Sequence, residues 1–325
     1  MFEPNTDDLN TLLDLAKQLT TDPSENPNEF CKQAKNLSDS LPIEMKKALN
    51  DFIHVGNNNE YLLITGLEKS IENLVETPSN NSSKIGEKTN LAKIQAICLS
   101  YMSEIIAYEA EGYGRLFQDM VPIKSMEREQ TSVGSTTELE IHTEQAFSEL
   151  KPDILSLACL RGDANALTYI LPVKKIIDNL SSDEIVLLKQ PLWKTGVDLS
   201  FKIAGHEFKN GDIRGPMPIL STSGSDNVRP ILTFDQDLMF GITPRSHLIL
   251  KKIVDIYYEN RISHNLKSGQ IIFINNRHAV HGRSPFFPNY DGNDRFLVRC
   301  FSVFDYMKSN LARQNESRTV SAIYS

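Results

Sequence analysis

The chain has 325 residues, 40% hydrophobic and 23% charged, the balance of a globular protein long enough to bury a sizeable core. Its 42 acidic residues outnumber 34 basic ones, and the net charge of -8 disfavours a nucleic-acid backbone or an anionic membrane as partner. The N-terminal MFEPNTDDLN lacks the basic and apolar parts of a secretory signal, and the apolar-rich residues 91–110 carry Lys93, Glu104 and Glu109, so the expectation is a cytoplasmic protein that spans no membrane.

In chain order, residues 1–110 read mainly as helix. Leu9, Leu12, Leu13, Ala16 and Leu19 follow the capping-type residues Asp7 and Asp8 at helical spacing. A short strand is expected over residues 61–65. Residues 77–89, TPSNNSSKIGEKT, are polar and turn-rich, and read as a surface loop peripheral to any chemistry. A longer helix is then expected over residues 90–111.

From residue 131 the texture changes to short strand-like runs broken by Gly, Pro, Asp and Asn: LEIHTE, ILSLACL, ALTYILP, IIFIN and RFLVRCFSVF. Helical patterns return at 182–188 and 246–260. This is an α+β pattern with an antiparallel sandwich or jelly-roll core over about residues 111–306, in a single domain whose N-terminal part is helical. The polar C-terminal SNLARQNESRTVSAIYS is expected to pack loosely. Cys31, Cys98, Cys159 and Cys300 show no metal-site spacing, and read as buried, reduced thiols.

In LEIHTE, strand alternation sets Glu140, His142 and Glu144 on one face, so His142 and Glu144 can reach one point. A His-x-Glu pair needs a third ligand. NNRHAVHGRSPF offers His278 and His281 in a turn after a strand; Gly282 would allow the tight backbone that aims His281 inward. Two histidines and one carboxylate would leave open positions on a metal, as non-haem iron(II) oxygenases need. His54, His206, His247 and His264 show no such partners and read as structural or exposed.

Fourteen residues past His281, RFLVRCF alternates Arg295, Leu297, Arg299 and Phe301 against Phe296, Val298 and Cys300. Arginines on an apolar strand need carboxylate partners, either protein acids or ligands. A non-catalytic metal or amino-acid binder would have no need of two such clamps, and a zinc hydrolase no need of a chelating co-substrate.

The stretches IAYEAEGYG, FQDMVP, QTSVGS, ELEIHTEQAFSELKPDILSLACLRGDANALTY, FDQDLM and NRHAVHGRSPFFPNYDGNDRFLVRCF stand in an order and spacing that resembles the clavaminate synthase-like oxygenases of free amino acids, above all the branch that acts on L-lysine. The resemblance implies a double-stranded β-helix and a dioxygenase using iron(II), 2-oxoglutarate and dioxygen. It implies the metal on His142, Glu144 and His281, 2-oxoglutarate on Arg295 with Thr168 beside it, and the substrate carboxylate on Arg299. It further implies that Gln118 and Ser132 contact the amino-acid head group, and that Asp235 and Asp237 meet a basic side chain. The substrate so implied is a free basic amino acid, L-lysine first, hydroxylated at carbon 3, with carbon 4 or L-arginine as alternatives.

Overall fold

The computed structural model describes residues 1–55, 59–203, 207–222 and 229–324. Three helices come first: α1 (Thr6–Gln18), α2 (Pro27–Ser38) and α3 (Ile43–Asn50). Asn5 caps α1 by accepting from the Asp8 N–H at 2.9 Å, and Asp7 and Asp8 sit where the helix dipole favours negative charge. Leu12, Leu15 and Ala16 form its buried stripe.

The strand β1 (Tyr61–Ile64) follows, then α4 (Asn90–Met102), β2 (Glu104–Tyr108) and β3 (Phe117–Met120). The helix expected over 90–111 therefore ends at Met102. Beyond it, Ile105 and Ala107 face the helical layer while Ile106 and Tyr108 face the opposite core. A strand covered on both faces reads as a continuous apolar run, which periodicity does not separate from a buried helix.

Next come β4 (Leu139–His142), β5 (Ile154–Arg161) and β6 (Leu167–Pro172), and the short helices α5 (Val173–Asp178) and α6 (Ser182–Leu188). A lobe of β7 (Trp193–Gly196), α7 (Leu199–Ile203), β8 (Ile213–Met217), β9 (Leu220–Thr222), β10 (Pro230–Leu232) and β11 (Met239–Gly241) leads to α8 (Pro244–Asn260). The remaining strands are β12 (Ile262–Asn265), β13 (Gln270–Asn275), β14 (Ala279–Arg283), β15 (Phe296–Val303) and β16 (Thr319–Val320).

A large sheet runs β1-β13-β5-β15-β2-β16, with β3 also on β15, and a smaller one runs β12-β6-β14-β4. Their inner faces meet: Leu155, Leu157, Ile272, Ile274, Leu297 and Phe301 of the large sheet share a cluster with Ile170 and Ala279 of the small one. The outer face of the large sheet, through Ala158, Phe273, Val298 and Cys300, carries the N-terminal helices. The outer face of the small sheet, through Ile141, Leu171 and Val280, carries α8. This is the double-stranded β-helix with flanking helices.

Two further expectations need correction. The C-terminal segment is not loose: Thr319 and Val320 pair in parallel with Ala107 and Tyr108, and Val320 and Ala322 are buried. Residues 77–89 are irregular, as expected, yet they are fastened down. Asp119 of β3 accepts from the Ser83 hydroxyl and from the Ile85 and Gly86 N–H groups, and Arg115 donates to the carbonyls of Asn81 and Ser83. Among the described residues, no helix is long and apolar enough to cross a membrane.

Candidate active site

A cavity opens between the two sheets, and its wall gathers side chains from β3, β4, β5, β6, β14 and β15 and from the loops that carry Glu111, Ser132, Glu144, Asp198 and Asp235. His142 ends β4, and His281 lies directly opposite it on β14, so both rings share a face, with centroids 4.4 Å apart. Glu144 lies two residues beyond β4. Its Oε1 is 3.0 Å from Nε2 of His281 and 4.0 Å from Nε2 of His142, so one ligand atom from each of the three falls within 4.8 Å of the others. His142 donates its Nδ1–H to the Glu140 carbonyl at 2.7 Å, which leaves Nε2 with a free lone pair toward the cavity.

The charge states suit a cation. Burial alone would raise Glu144, but Arg299 and the imidazoles of His281 and His142 hold it down to about 2. His281 is pushed downward by burial, then by His142, so its ring stays neutral and able to ligate. Nδ1 of His281 is buried with no hydrogen-bond partner among the described residues.

The structure brings His281, not His278, to this point. His278 sits in the β13–β14 turn and donates through Nδ1 to the Pro230 carbonyl at 2.9 Å. His281 lies on a strand rather than in the turn, and Gly282 serves a different purpose from the one expected. A Cβ there would lie 2.7 Å from the Tyr257 hydroxyl and 2.8 Å from the Leu139 carbonyl, so glycine permits close packing at the irregular step between β14 and β4. His54 and His247 are exposed, the His264 ring meets Tyr61 edge-on, and His206 lies outside the described residues.

Thr168, Ser132, Asp235, Asp237, Arg295 and Arg299 all line the cavity. Gln118 stands behind it, where its Oε1 accepts from Nε of Arg299 at 3.0 Å. Arg299 also meets Glu111 in a close ion pair and approaches Oε2 of Glu144 at 3.5 Å. Arg295 is buried and forms no ion pair among the described residues; burial lowers it to about 10, which leaves it cationic. Asp235 accepts from the Leu238 N–H at 2.9 Å, and burial raises its carboxyl.

Four charged residues of the wall had been given no role from the sequence: Glu111, Glu140, Asp198 and Arg283. Arg283 had a signal, since strand alternation puts it on the face of His281, and Glu140 shares the face of His142. Glu111 and Asp198 had none, because each stands in a loop without periodicity. Asp198 is raised by burial, then by Asp235, Glu111 and Glu144.

Two imidazoles and a carboxylate on one side of an open jelly-roll cavity, with guanidinium groups facing the same space, are the donor set and surroundings that suit a non-haem iron oxygenase. Residues 209–301 match the model of the taurine catabolism dioxygenase TauD, TfdA family. The chain is 44% identical to an L-lysine 3-hydroxylase of Catenulispora acidiphila over 92% of this chain and 82% of that protein. It is 28% identical to clavaminate synthase 2 of Streptomyces clavuligerus over 89% and 88%. Among solved structures, asparagine oxygenase in complex with Fe(II), 2S,3S-3-hydroxyasparagine and succinate superposes with a TM-score of 0.89 at 27% identity, over 98% of both chains. The chain belongs to the clavaminate synthase-like iron(II)- and 2-oxoglutarate-dependent dioxygenases.

Proposed function

We propose that this dioxygenase hydroxylates free L-lysine at carbon 3, with iron(II) on His142, Glu144 and His281. The observation that carries the reading is the mixed charge of the cavity lining: Arg295 and Arg299 face it, and so does an acidic group of Glu140, Asp235 and Asp237, in which the two aspartates stand close enough to raise the Glu140 carboxyl after burial has done so. A basic amino acid presents the complementary pattern, a carboxylate at one end and a cation at the other. The 44% identity to an L-lysine 3-hydroxylase supports the choice of lysine and of carbon 3.

The protein's part is to bind and orient. Arg295, which forms no ion pair among the described residues, takes the distal carboxylate of 2-oxoglutarate bidentately, with the Thr168 hydroxyl beside it. Arg299 takes the substrate carboxylate, and Glu111, paired with it, receives the α-ammonium, so the ion pair is a template for a zwitterion. Gln118 braces Arg299 from behind, and Ser132 contributes to the head-group wall. Asp235 and Asp237 meet the side-chain ammonium. The iron, when bound, supplies the dioxygen chemistry that breaks an unactivated C–H bond, and the position of the substrate decides which carbon reacts. The four buried, unpaired cysteines fit a reducing cytoplasm.

The test is incubation with iron(II), 2-oxoglutarate, oxygen and a panel of lysine, arginine, ornithine, asparagine and glutamine, read by mass spectrometry and NMR. Lysine should gain one oxygen, at carbon 3. Asp235→Asn should lower kcat/KM for lysine by roughly 30-fold or more, about 2 kcal/mol, because the ammonium loses a buried charged partner. A preference for a neutral amino acid, or oxygen placed at carbon 4, would overturn this assignment.

A further inference from the structure

Asn276 opens the turn between β13 and β14, yet its side chain serves the backbone of Glu144. Its Oδ1 accepts from the Glu144 N–H at 2.7 Å, and its Nδ2 donates to the Glu144 carbonyl at 3.2 Å and to the Pro152 carbonyl at 2.7 Å. The residue is 1% exposed, so water does not compete for these bonds. Glu144 lies outside the β4 ladder, and the amide of Asn276 takes the place of a strand neighbour for both its backbone groups. The next residue, Gln145, turns the chain away sharply at φ 51°, and its Nε2 donates to Glu111 at 3.0 Å.

We infer that Asn276 is a positioning residue for the metal site: by clamping both backbone groups of Glu144, it fixes the direction of that carboxylate relative to the hairpin that carries His281. The inference rests on the proposed role of Glu144 as a metal ligand. Its physical basis is that an iron site tolerates little displacement of its ligands. Glu144 lacks the cross-strand pairing that orients His142 and His281. The clamp joins the two halves of the ligand set, because Asn276 leads within five residues into His281 on β14.

The neighbouring Asn275 provides the control. It is 2% exposed and bonded through its side chain to Glu60 and to the Arg277 N–H, and among the described residues no hydrogen bond joins it to Glu144. Cobalt(II) and iron(II) would be titrated anaerobically into the wild type, Asn276→Asp, Asn276→Ala and Asn275→Ala, alongside thermal melts of the metal-free proteins. Asn276→Asp is isosteric and keeps one acceptor for the Glu144 N–H but sets an oxygen against the Glu144 and Pro152 carbonyls, whereas Asn276→Ala removes all three bonds without that repulsion. Metal affinity should fall by about 10- to 100-fold in both Asn276 variants, with displaced cobalt(II) ligand-field bands, and change little in Asn275→Ala. A folded Asn276→Asp with wild-type affinity and spectrum would overturn the inference, as would an equal loss in Asn275→Ala. A wild type that binds neither metal would overturn the ligand assignment, and the inference with it.

Discussion

Arg295 and Arg283 are neighbouring buried guanidinium groups, and neither forms an ion pair among the described residues. Burial lowers Arg283 to about 9, with Arg295 adding repulsion, so both still carry charge at neutral pH. Their donors are committed differently. Arg283 donates to the carbonyls of Ser132 at 3.1 Å and Thr137 at 3.5 Å, which ties the loop before β4 to β14. Arg295 faces the Phe286 ring at 5.7 Å, and in the proposed function its fork serves 2-oxoglutarate. Arg295→Lys should therefore raise the KM for 2-oxoglutarate by roughly tenfold or more, because an ammonium does not reproduce a bidentate contact. The KM for the amino acid should change little. Kinetics with each substrate varied in turn decide the matter: a similar rise in both constants would assign Arg295 a general structural role.

At the scale of the element, the segment 77–89 ties the sequence to the site by a route that its composition hides. Its polar composition suggested a solvated connection, but the Ser83 hydroxyl and the backbone N–H groups of Ile85 and Gly86 are the partners of Asp119, a buried carboxylate on β3. Burial raises that carboxyl, and the bonds from Ser83, Ile85 and Gly86 oppose the rise. The strand they secure also carries Gln118, which braces Arg299. Replacing 77–89 by a Gly/Ser linker should cost about 2–4 kcal/mol of stability and raise the KM for the amino acid. Urea denaturation and steady-state kinetics on the same variant read both effects. Unchanged values in both would restore the view of a solvated loop. Composition misled here because a polar residue that caps a buried acid and one that faces water look alike in one dimension.

Across the whole molecule, one titration reports how tightly the layers close. His278 is held at about 4, chiefly by burial, partly opposed by its bond to the Pro230 carbonyl, with Arg229 and Arg277 adding repulsion. In the unfolded chain it titrates near 6.5. Between these values the unfolded state binds a proton that the folded state refuses, so stability falls as the pH drops through this window. The contribution is present in full above about 6.5 and amounts to up to about 3 kcal/mol. His278→Gln keeps a donor for Pro230 but does not titrate. Urea denaturation from pH 4 to 7 should show a flatter acid slope for the variant, while cobalt(II) binding stays at the wild-type level. Loss of metal binding in this variant would mean that the wrong histidine of the pair was assigned to the metal.

The sequence by itself determined what depends on neighbours along one strand. Alternation put Glu140, His142 and Glu144 on one face and Arg295, Leu297 and Arg299 on another, and the cavity is lined accordingly. It also announced β5, β6, β13 and β15 as short apolar runs. The sequence preferred His281 to His278 through Gly282 and through its resemblance, but the physical reason that His281 reaches His142 is tertiary, the register of β14 against β4. The tertiary structure alone turned residues 104–108 from helix into strand, through pairing with β15. It alone placed Glu111, Asp198 and the Asn276 amide at the site, since each gets there across more than a hundred residues or from a loop without periodicity. A side chain's direction along a strand is set by local backbone geometry, whereas its partner across the sheet is set by packing, which a single strand does not contain.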